Sequence, residues 1–351
     1  MAQRPFPWEK SYPPGVRWDA PMAVGTLPAM LDEAAASFNG KTAIEYRDRE
    51  IGFAALREQA ERAAAAFLRA GIGPGTTLAL YLPNTPYHPF AFFGGLKAGA
   101  RITHLSPLDA ERELAHKLTD SGARTLVTTN IGALLPTALR LLDAGLVDRV
   151  IVGDDAAWGP APHPTTAVPA RAGVVAWDRF VEGAAPPPEW PAVTPSDIAV
   201  LQYTGGTTGL PKGAILTHAN LTSTQAIYDA WQGGQGQLRV GQEKVIGVLP
   251  LFHVYALTTV LLRHIRLGNE ILLRLRFDVE TTLRDIEVKR ATIFNGVPTM
   301  WIALCNHPGI ETRDLSSLTR CSSGGAPLPV EVAERFERLT GHALRGGWGM
   351  T

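Results

Sequence analysis

The chain has 351 residues, 45% apolar and 19% charged, and its 33 Lys plus Arg balance 33 Asp plus Glu. That length allows more than one folding unit and a large core, while zero net charge gives no field to draw in nucleic acid or an anionic membrane. Two cysteines, Cys305 and Cys321, without metal spacing speak against a disulfide framework and read as buried thiols in a reducing setting.

The segment to Pro14 is polar and proline-rich and lacks a signal-peptide core. No apolar run approaches a membrane span. A helix is expected near Thr26 to Phe38, then a strand at Ala43–Tyr46. Phe53 to Ala70 places Leu56, Ala60, Ala64, Phe67 and Leu68 on one side of a helix that Gly71 stops. A strand at Leu78–Leu82 precedes a helix from Tyr87 to Ala98. Helices are expected at Glu111–Ser121 and Gly132–Ala144, and strands at Thr125–Thr128 and Arg149–Val152. Residues 154–195, rich in Pro, Ala and Gly, read as a long surface connection. Thr217 is a plausible cap for a helix opening at His218. Strands at Val245–Leu249, Glu270–Leu275, Thr292–Asn295 and Leu318–Ser322 then alternate with helices at Leu257–Leu267, Thr281–Lys289, Pro298–Asn306 and Val330–Leu339. Such alternation indicates a parallel, doubly wound α/β sheet.

The most informative segment is Tyr203-Thr-Gly-Gly-Thr-Thr-Gly-Leu-Pro-Lys-Gly213, between the apolar runs 198–201 and 214–216. Glycines bring backbone N–H groups close to a ligand. Thr204, Thr207 and Thr208 add hydroxyl donors and Lys212 a mobile charge, a combination suited to polyphosphate. The common P-loop is excluded, because Pro211 precedes the lysine and Gly213 follows it.

Three further segments carry chemistry. Pro250-Leu-Phe-His-Val-Tyr255 follows an apolar strand, whose carboxyl end is where α/β sheets place ligands. On position alone, His253 reads equally as pocket-lining or as a capping or core histidine. Ser322-Ser-Gly-Gly-Ala-Pro327 offers small residues against which a flat ring can lie, and it also reads as a turn before the next helix. Gly346-Gly-Trp-Gly-Met-Thr351 comes last. The other histidines form no pair at helical metal-ligand spacing, and no Gly-x-Ser-x-Gly or post-strand Gly-x-Gly-x-x-Gly supports a hydrolase or dehydrogenase.

These four strings, in this order, resemble the adenylate-forming enzymes: acyl-CoA synthetases, luciferases and peptide-synthetase adenylation domains. Asp197–Gly209, the opening Trp8 to Val16 and the Val332–Gly341 helix are most similar to bacterial medium- and long-chain fatty acid–CoA ligases. The resemblance implies the large N-terminal domain of an acyl-CoA synthetase, with two doubly wound α/β subdomains packed together. One would span about 72–230 and the other about 26–70 with 240–351.

The resemblance also implies site roles. Thr204, Gly205, Gly206, Thr207, Thr208, Gly209 and Lys212 would hold the β- and γ-phosphates of ATP. Gly324, Gly325 and Ala326, with Gly347, Trp348 and Gly349, would hold adenine, and Thr351 would meet the α-phosphate. Trp348 replaces the family's tyrosine with a larger ring face, which keeps stacking. His253, Tyr255, Thr259, Val297 and Gly324 would line the acyl site. Arg276 would meet a CoA phosphate, although a solvated surface arginine fits it as well. Lys212, Thr204, His253 and Thr351 are the catalytic candidates.

The implied reaction makes a fatty acyl-adenylate from ATP and then a thioester with CoA, with Mg²⁺ sharing charge neutralisation. The family's Mg²⁺-holding glutamate after Thr351, its ribose-binding aspartate and its C-terminal domain with a catalytic lysine fall outside these residues. The expectation is therefore an incomplete N-terminal domain with the C-terminal domain absent and little or no ligase turnover of its own. Competing readings are a fatty acyl-AMP ligase, an aryl-CoA ligase, a peptide-synthetase adenylation domain, or a non-catalytic nucleotide-binding module. Fatty acid and CoA are the expected partners and nucleic acid is not. A cytoplasmic location is expected, with peripheral membrane contact and a homodimer left open.

Overall fold

The structure is a computed structural model describing residues 6–17, 19–160, 163–204, 210–232 and 238–351. Its strands are β1 (Thr42–Tyr46), β2 (Arg49–Gly52), β3 (Thr77–Leu80), β4 (Arg101–His104), β5 (Thr125–Thr129), β6 (Arg149–Gly153) and β7 (Val174–Ala176). They continue as β8 (Ile198–Thr204), β9 (Lys212–Thr217), β10 (Lys244–Gly247), β11 (Glu270–Leu273), β12 (Ile293–Gly296), β13 (Arg320–Ser323) and β14 (Leu344–Gly346). Two seven-stranded sheets result, ordered β7-β6-β5-β3-β4-β8-β9 and β14-β13-β12-β10-β11-β1-β2. Pairing is parallel throughout, except that β9 and β2 add antiparallel edges. The architecture is the mixed α/β one that the alternation of elements implies.

The N-terminal hairpin shows how local chemistry places an element. Arg47 and Asp48 both take positive φ, 53° and 61°, which makes the tight primed turn that suits twisted strands. β1 then joins the second sheet beside β11, pairing Ile44 with Ile271.

The main core lies between the sheets. It takes Leu78, Ile102 and Val200 from one sheet and Ile44, Val245 and Ile271 from the other. Helix Tyr87–Lys97 is buried along its whole length there. It packs on helix Phe53–Arg69 so closely that a Cβ on Gly94 would stand 2.7 Å from the Ala63 Cβ. Separate cores fill the outer faces, one under helices Glu111–Ser121 and Leu134–Asp143, the other under Val279–Glu287, Pro298–Cys305 and Val330–Thr340. Cys305 and Cys321 are buried free thiols, as expected.

Some elements differ from the sequence expectation. β2, β4, β7 and β14 are short strands that periodicity does not reveal. Residues 154–195 are more than a surface connection, because they carry β7 and helix Trp177–Val181, which buries Trp177, Phe180 and Val181. The apolar stretch after His253 includes a π-helix at Leu257–Leu262, a form that often marks functional positions. Thr217 caps the helix His218–Gln232 as expected, its Oγ1 accepting from the Asn220 N–H at 3.1 Å. Among the described residues no helix is long and apolar enough to cross a membrane.

Because its long pairings are parallel, each sheet has one carboxyl edge, and these two edges meet. Asn84, just past β3, donates from Nδ2 to the carbonyls of Gly247 and Leu249 at 3.1 and 2.9 Å. Its Oδ1 accepts from the Leu251 N–H at 2.9 Å. At the far side, Arg47 pairs with the fully buried Asp155 at 2.6 Å.

Candidate functional site

β8 ends at Thr204, and Lys212, which opens β9, lies directly opposite it in the ladder. The intervening Gly205, Gly206, Thr207, Thr208 and Gly209 lie outside the described residues. Both ends of this connection are fixed to helix Glu111–Ser121. His116 Nε2 donates to the Pro211 carbonyl at 2.9 Å, and the Tyr203 hydroxyl donates to Asp120 at 2.6 Å. Burial and the Asp120 carboxylate raise the Tyr203 pKa above its ordinary value, so the phenol stays a donor. Gly213 lies against the Tyr203 ring, where a Cβ would come within 3.2 Å. Lys212 is exposed.

Two residues before Thr204, Gln202 reaches across to the other sheet. Its Nε2 donates to the Phe252 carbonyl at 3.0 Å, immediately before His253. Its Oε1 faces His104 Nδ1 at 3.4 Å. These partners fix the protons along a buried relay. His104 Nδ1 must donate, so its Nε2 accepts from His88 Nε2, 3.1 Å away. His88 Nδ1 is left without a partner among the described residues. Burial keeps both rings neutral: it pushes His104 down to about 4 and His88 well below its ordinary value, where the neighbouring ring also acts. With Asn84, Gln202 holds the loop that carries His253.

His253 itself caps the next helix, its Nδ1 accepting from the Tyr255 N–H at 3.2 Å. Desolvation lowers its pKa although part of the ring is exposed. Tyr255 points to β13, with its hydroxyl 3.5 Å from Ser322 Oγ, which in turn donates to Asn295 Oδ1 at 2.7 Å. Gly324 makes this possible, since a Cβ there would stand 2.9 Å from the Tyr255 ring. Thr259 donates to the Tyr255 carbonyl at 2.8 Å. Val297 caps helix Pro298–Cys305 and lies 3.5 Å from where a Cβ on Gly325 would be.

The two glycine-rich ends of β13 and β14 lie side by side. Gly347 donates its N–H to the Ser323 carbonyl at 2.7 Å. Between them opens a cleft of about 580 Å³ lined by Gly325, Ala326, Gly347, Trp348 and Gly349. Trp348 is 87% exposed, and an uncovered indole can stack on a planar ligand. Thr351 is exposed beyond it.

The structure thus brings together Thr204, Lys212, His253, Tyr255, Thr259, Val297, the Gly324–Ala326 segment and the Gly347–Gly349 segment. Arg276 lies elsewhere, in a cleft of about 570 Å³ past β11 that Arg47, Arg274, Arg284 and Lys289 also line. Sequence reading missed Asn84, His88, His104 and Gln202. The available signal was a polar side chain within or closing an apolar strand, as Gln202 is within Ile198–Thr204. Among the described residues, no group of three His, Cys, Asp or Glu side chains is arranged to hold a metal ion.

A family model described as AMP-binding enzyme matches residues 31–351. A long-chain-fatty-acid–CoA ligase of Bacillus subtilis is 35% identical over 360 residues, covering 98% of this chain and 63% of the relative. One from Escherichia coli O6:H1 is 32% identical, covering 98% of this chain and 64% of the relative. The chain therefore spans a little under two thirds of the length of these relatives. Among solved structures, the anthranilate CoA ligase AuaEII in complex with anthranoyl-AMP superposes with a TM-score of 0.81 at 23% identity, over 95% of this chain and 61% of its own. A long-chain-fatty-acid-CoA ligase (FadD1) from Archaeoglobus fulgidus gives 0.79 at 25% identity, over 97% and 66%.

Proposed function

The chain belongs to the AMP-binding enzyme family, and from that premise we propose that the whole protein activates a fatty acid carboxylate with ATP and passes the acyl group to CoA. One observation carries this reading. Gln202–Phe252, Tyr255–Ser322 and Ser323–Gly347 form a continuous path, joining the phosphate-type hairpin, the His253 loop and both glycine-rich strand ends.

In the first step a carboxylate oxygen bonds to the α-phosphorus of ATP. The bond from that phosphorus to the bridging oxygen breaks, and pyrophosphate leaves with the electron pair. Two anions must meet, so the protein's task is neutralisation and alignment. Lys212 and Thr204 are assigned to the departing phosphates, to which a cation and a hydroxyl donate well. The residues of the cleft beside Trp348 are assigned to adenine and Thr351 to the α-phosphate. His253, Tyr255, Thr259 and Val297 are assigned to the acyl group. In the second step the CoA sulfur bonds to the acyl carbon as its thiol proton passes to solvent, the bond from that carbon to the AMP oxygen breaks and AMP leaves with the electron pair; Arg276 is assigned to a CoA phosphate. Mg²⁺ enters as the companion of the triphosphate, whose own oxygens would hold it and whose charge it would offset.

The test is ATP–pyrophosphate exchange by the purified full-length protein as a function of added fatty acid. Exchange should require the acid, and Lys212→Ala should raise the KM for ATP roughly tenfold or more, as expected for loss of a charge-assisted contact. Exchange that no carboxylate supports, or an unchanged KM in the variant, overturns the reading.

A further inference from the structure

Two buried imidazoles take no part in the proposed chemistry. His88 lies in helix Tyr87–Lys97 and His104 closes β4; they are 0% and 3% exposed. Their rings are nearly parallel, 11° between planes with centres 5.1 Å apart, and each also lies parallel to Phe92. Phenyl rings would fill this space without the desolvation cost that an imidazole incurs unless both its nitrogens find partners. His88 Nδ1 has none among the described residues. A core that retains such a group calls for a reason other than packing.

The reason lies at the far end of the chain of bonds. The Phe252 carbonyl can only accept, so Gln202 must turn its Nε2 toward it. Gln202 Oε1 then faces His104, which must carry its proton on Nδ1. His104 Nε2 is left bare and accepts from His88 Nε2. Which imidazole nitrogen holds the proton is set by the bond that the other one makes. Without His88, His104 is free to take the other tautomer and to present a lone pair to the Gln202 oxygen.

The Gln202 side chain would then lose its hold on one side, and the backbone entering His253 would lose a firm tie to β8. We propose that His88 and His104 are positioning residues for the acyl group, acting through Gln202 on the Phe252–His253 backbone. This rests on the reading of His253 and Tyr255 as acyl-site residues.

The experiment is ATP–pyrophosphate exchange by the full-length protein with isosteric variants. An asparagine amide nitrogen sits near the place of imidazole Nδ1, and a glutamine one near that of Nε2. The two histidines should therefore respond in opposite ways. His104→Asn keeps the donor to Gln202 and should hold the KM for the fatty acid within about twofold, whereas His104→Gln should raise it roughly three- to tenfold, the range for one net hydrogen bond. His88→Gln keeps the donor to His104 and should hold that KM, whereas His88→Asn should raise it. The KM for ATP should stay within about twofold in all four, since Tyr203 and Pro211 tie the phosphate hairpin separately to helix Glu111–Ser121. Adding His104→Gln to Gln202→Ala should raise the KM for the acid no further, because residues acting through one bond are not additive. Equal acid KM values for the Asn and Gln variants of either histidine, or multiplied effects in the double variant, overturn this inference and leave adenylate formation standing, whatever the variants cost in urea denaturation. Either pair carries the test if a variant of the other does not fold. Exchange with no carboxylate overturns the acyl-site reading itself.

Discussion

At the scale of single residues, Gln202 decides more than its place in a strand implies. One amide satisfies a buried imidazole on its own sheet and a backbone carbonyl on the other. Gln202→Ala would leave both the His104 N–H and the Phe252 carbonyl without a partner. We expect a loss of about 1–3 kcal/mol in urea denaturation, the cost of stranding buried polar groups. We also expect a higher KM for the carboxylate, because the His253 loop loses one of its holds. Gln202→Glu tests the direction of the relay: its carboxylate still accepts from His104 but has no N–H for Phe252. It should therefore recover only part of the stability, and full recovery would contradict the proton assignment.

At the scale of elements, the stretch 174–181 shows how composition misleads. Its proline- and glycine-rich surroundings read as connection, yet β7 extends a sheet and helix Trp177–Val181 closes the core beside it. Trp177 lies 6.4 Å from Phe67 and 5.6 Å from Tyr87, ring centre to ring centre, both edge-on. Trp177→Ala should therefore cost about 3–5 kcal/mol, the range for emptying a large buried aromatic site. A change under about 0.5 kcal/mol, the level of ordinary surface substitutions, would show that this helix is not docked as described. The β8–β9 hairpin is the opposite case. Its identity was legible because an unusual string of Gly, Thr and Lys has few structural uses, but its anchoring by Tyr203, His116 and Asp120 was not. His116 and Asp120 share one helix face, but Tyr203 lies 83 residues from Asp120, and no local pattern links that face to the hairpin.

At the scale of the whole molecule, buried histidines make stability sensitive to pH. His104 and His218 are pushed down to about 4 and His264 to about 3, from an ordinary value of 6.5, chiefly by burial. His218 is further committed to the neutral form, since its Nδ1 accepts from the Leu27 N–H. The sign follows from proton counting. As pH falls through 6.5, unfolded imidazoles take up protons that the native ones refuse, so the unfolded state gains. Each such histidine removes about 1.4 kcal/mol per pH unit until its folded value is reached. Stability should thus be nearly flat above about pH 7 and fall steadily from about 6.5 toward 4. Urea denaturation across that window measures it, and His104→Asn should reduce the slope. A flat profile from 7 to 5 would show that these rings titrate normally in the native protein.

The sequence by itself determined the fold class, the family and the order of the chemical segments. Those properties reside in local strings: alternating apolar runs set strands and helices, and glycine, threonine and lysine at fixed offsets set a loop. Only the tertiary structure decided which segments meet. The carboxyl edges of two parallel sheets are brought together by Asn84 and Gln202, so residues far apart in the chain come to share one site.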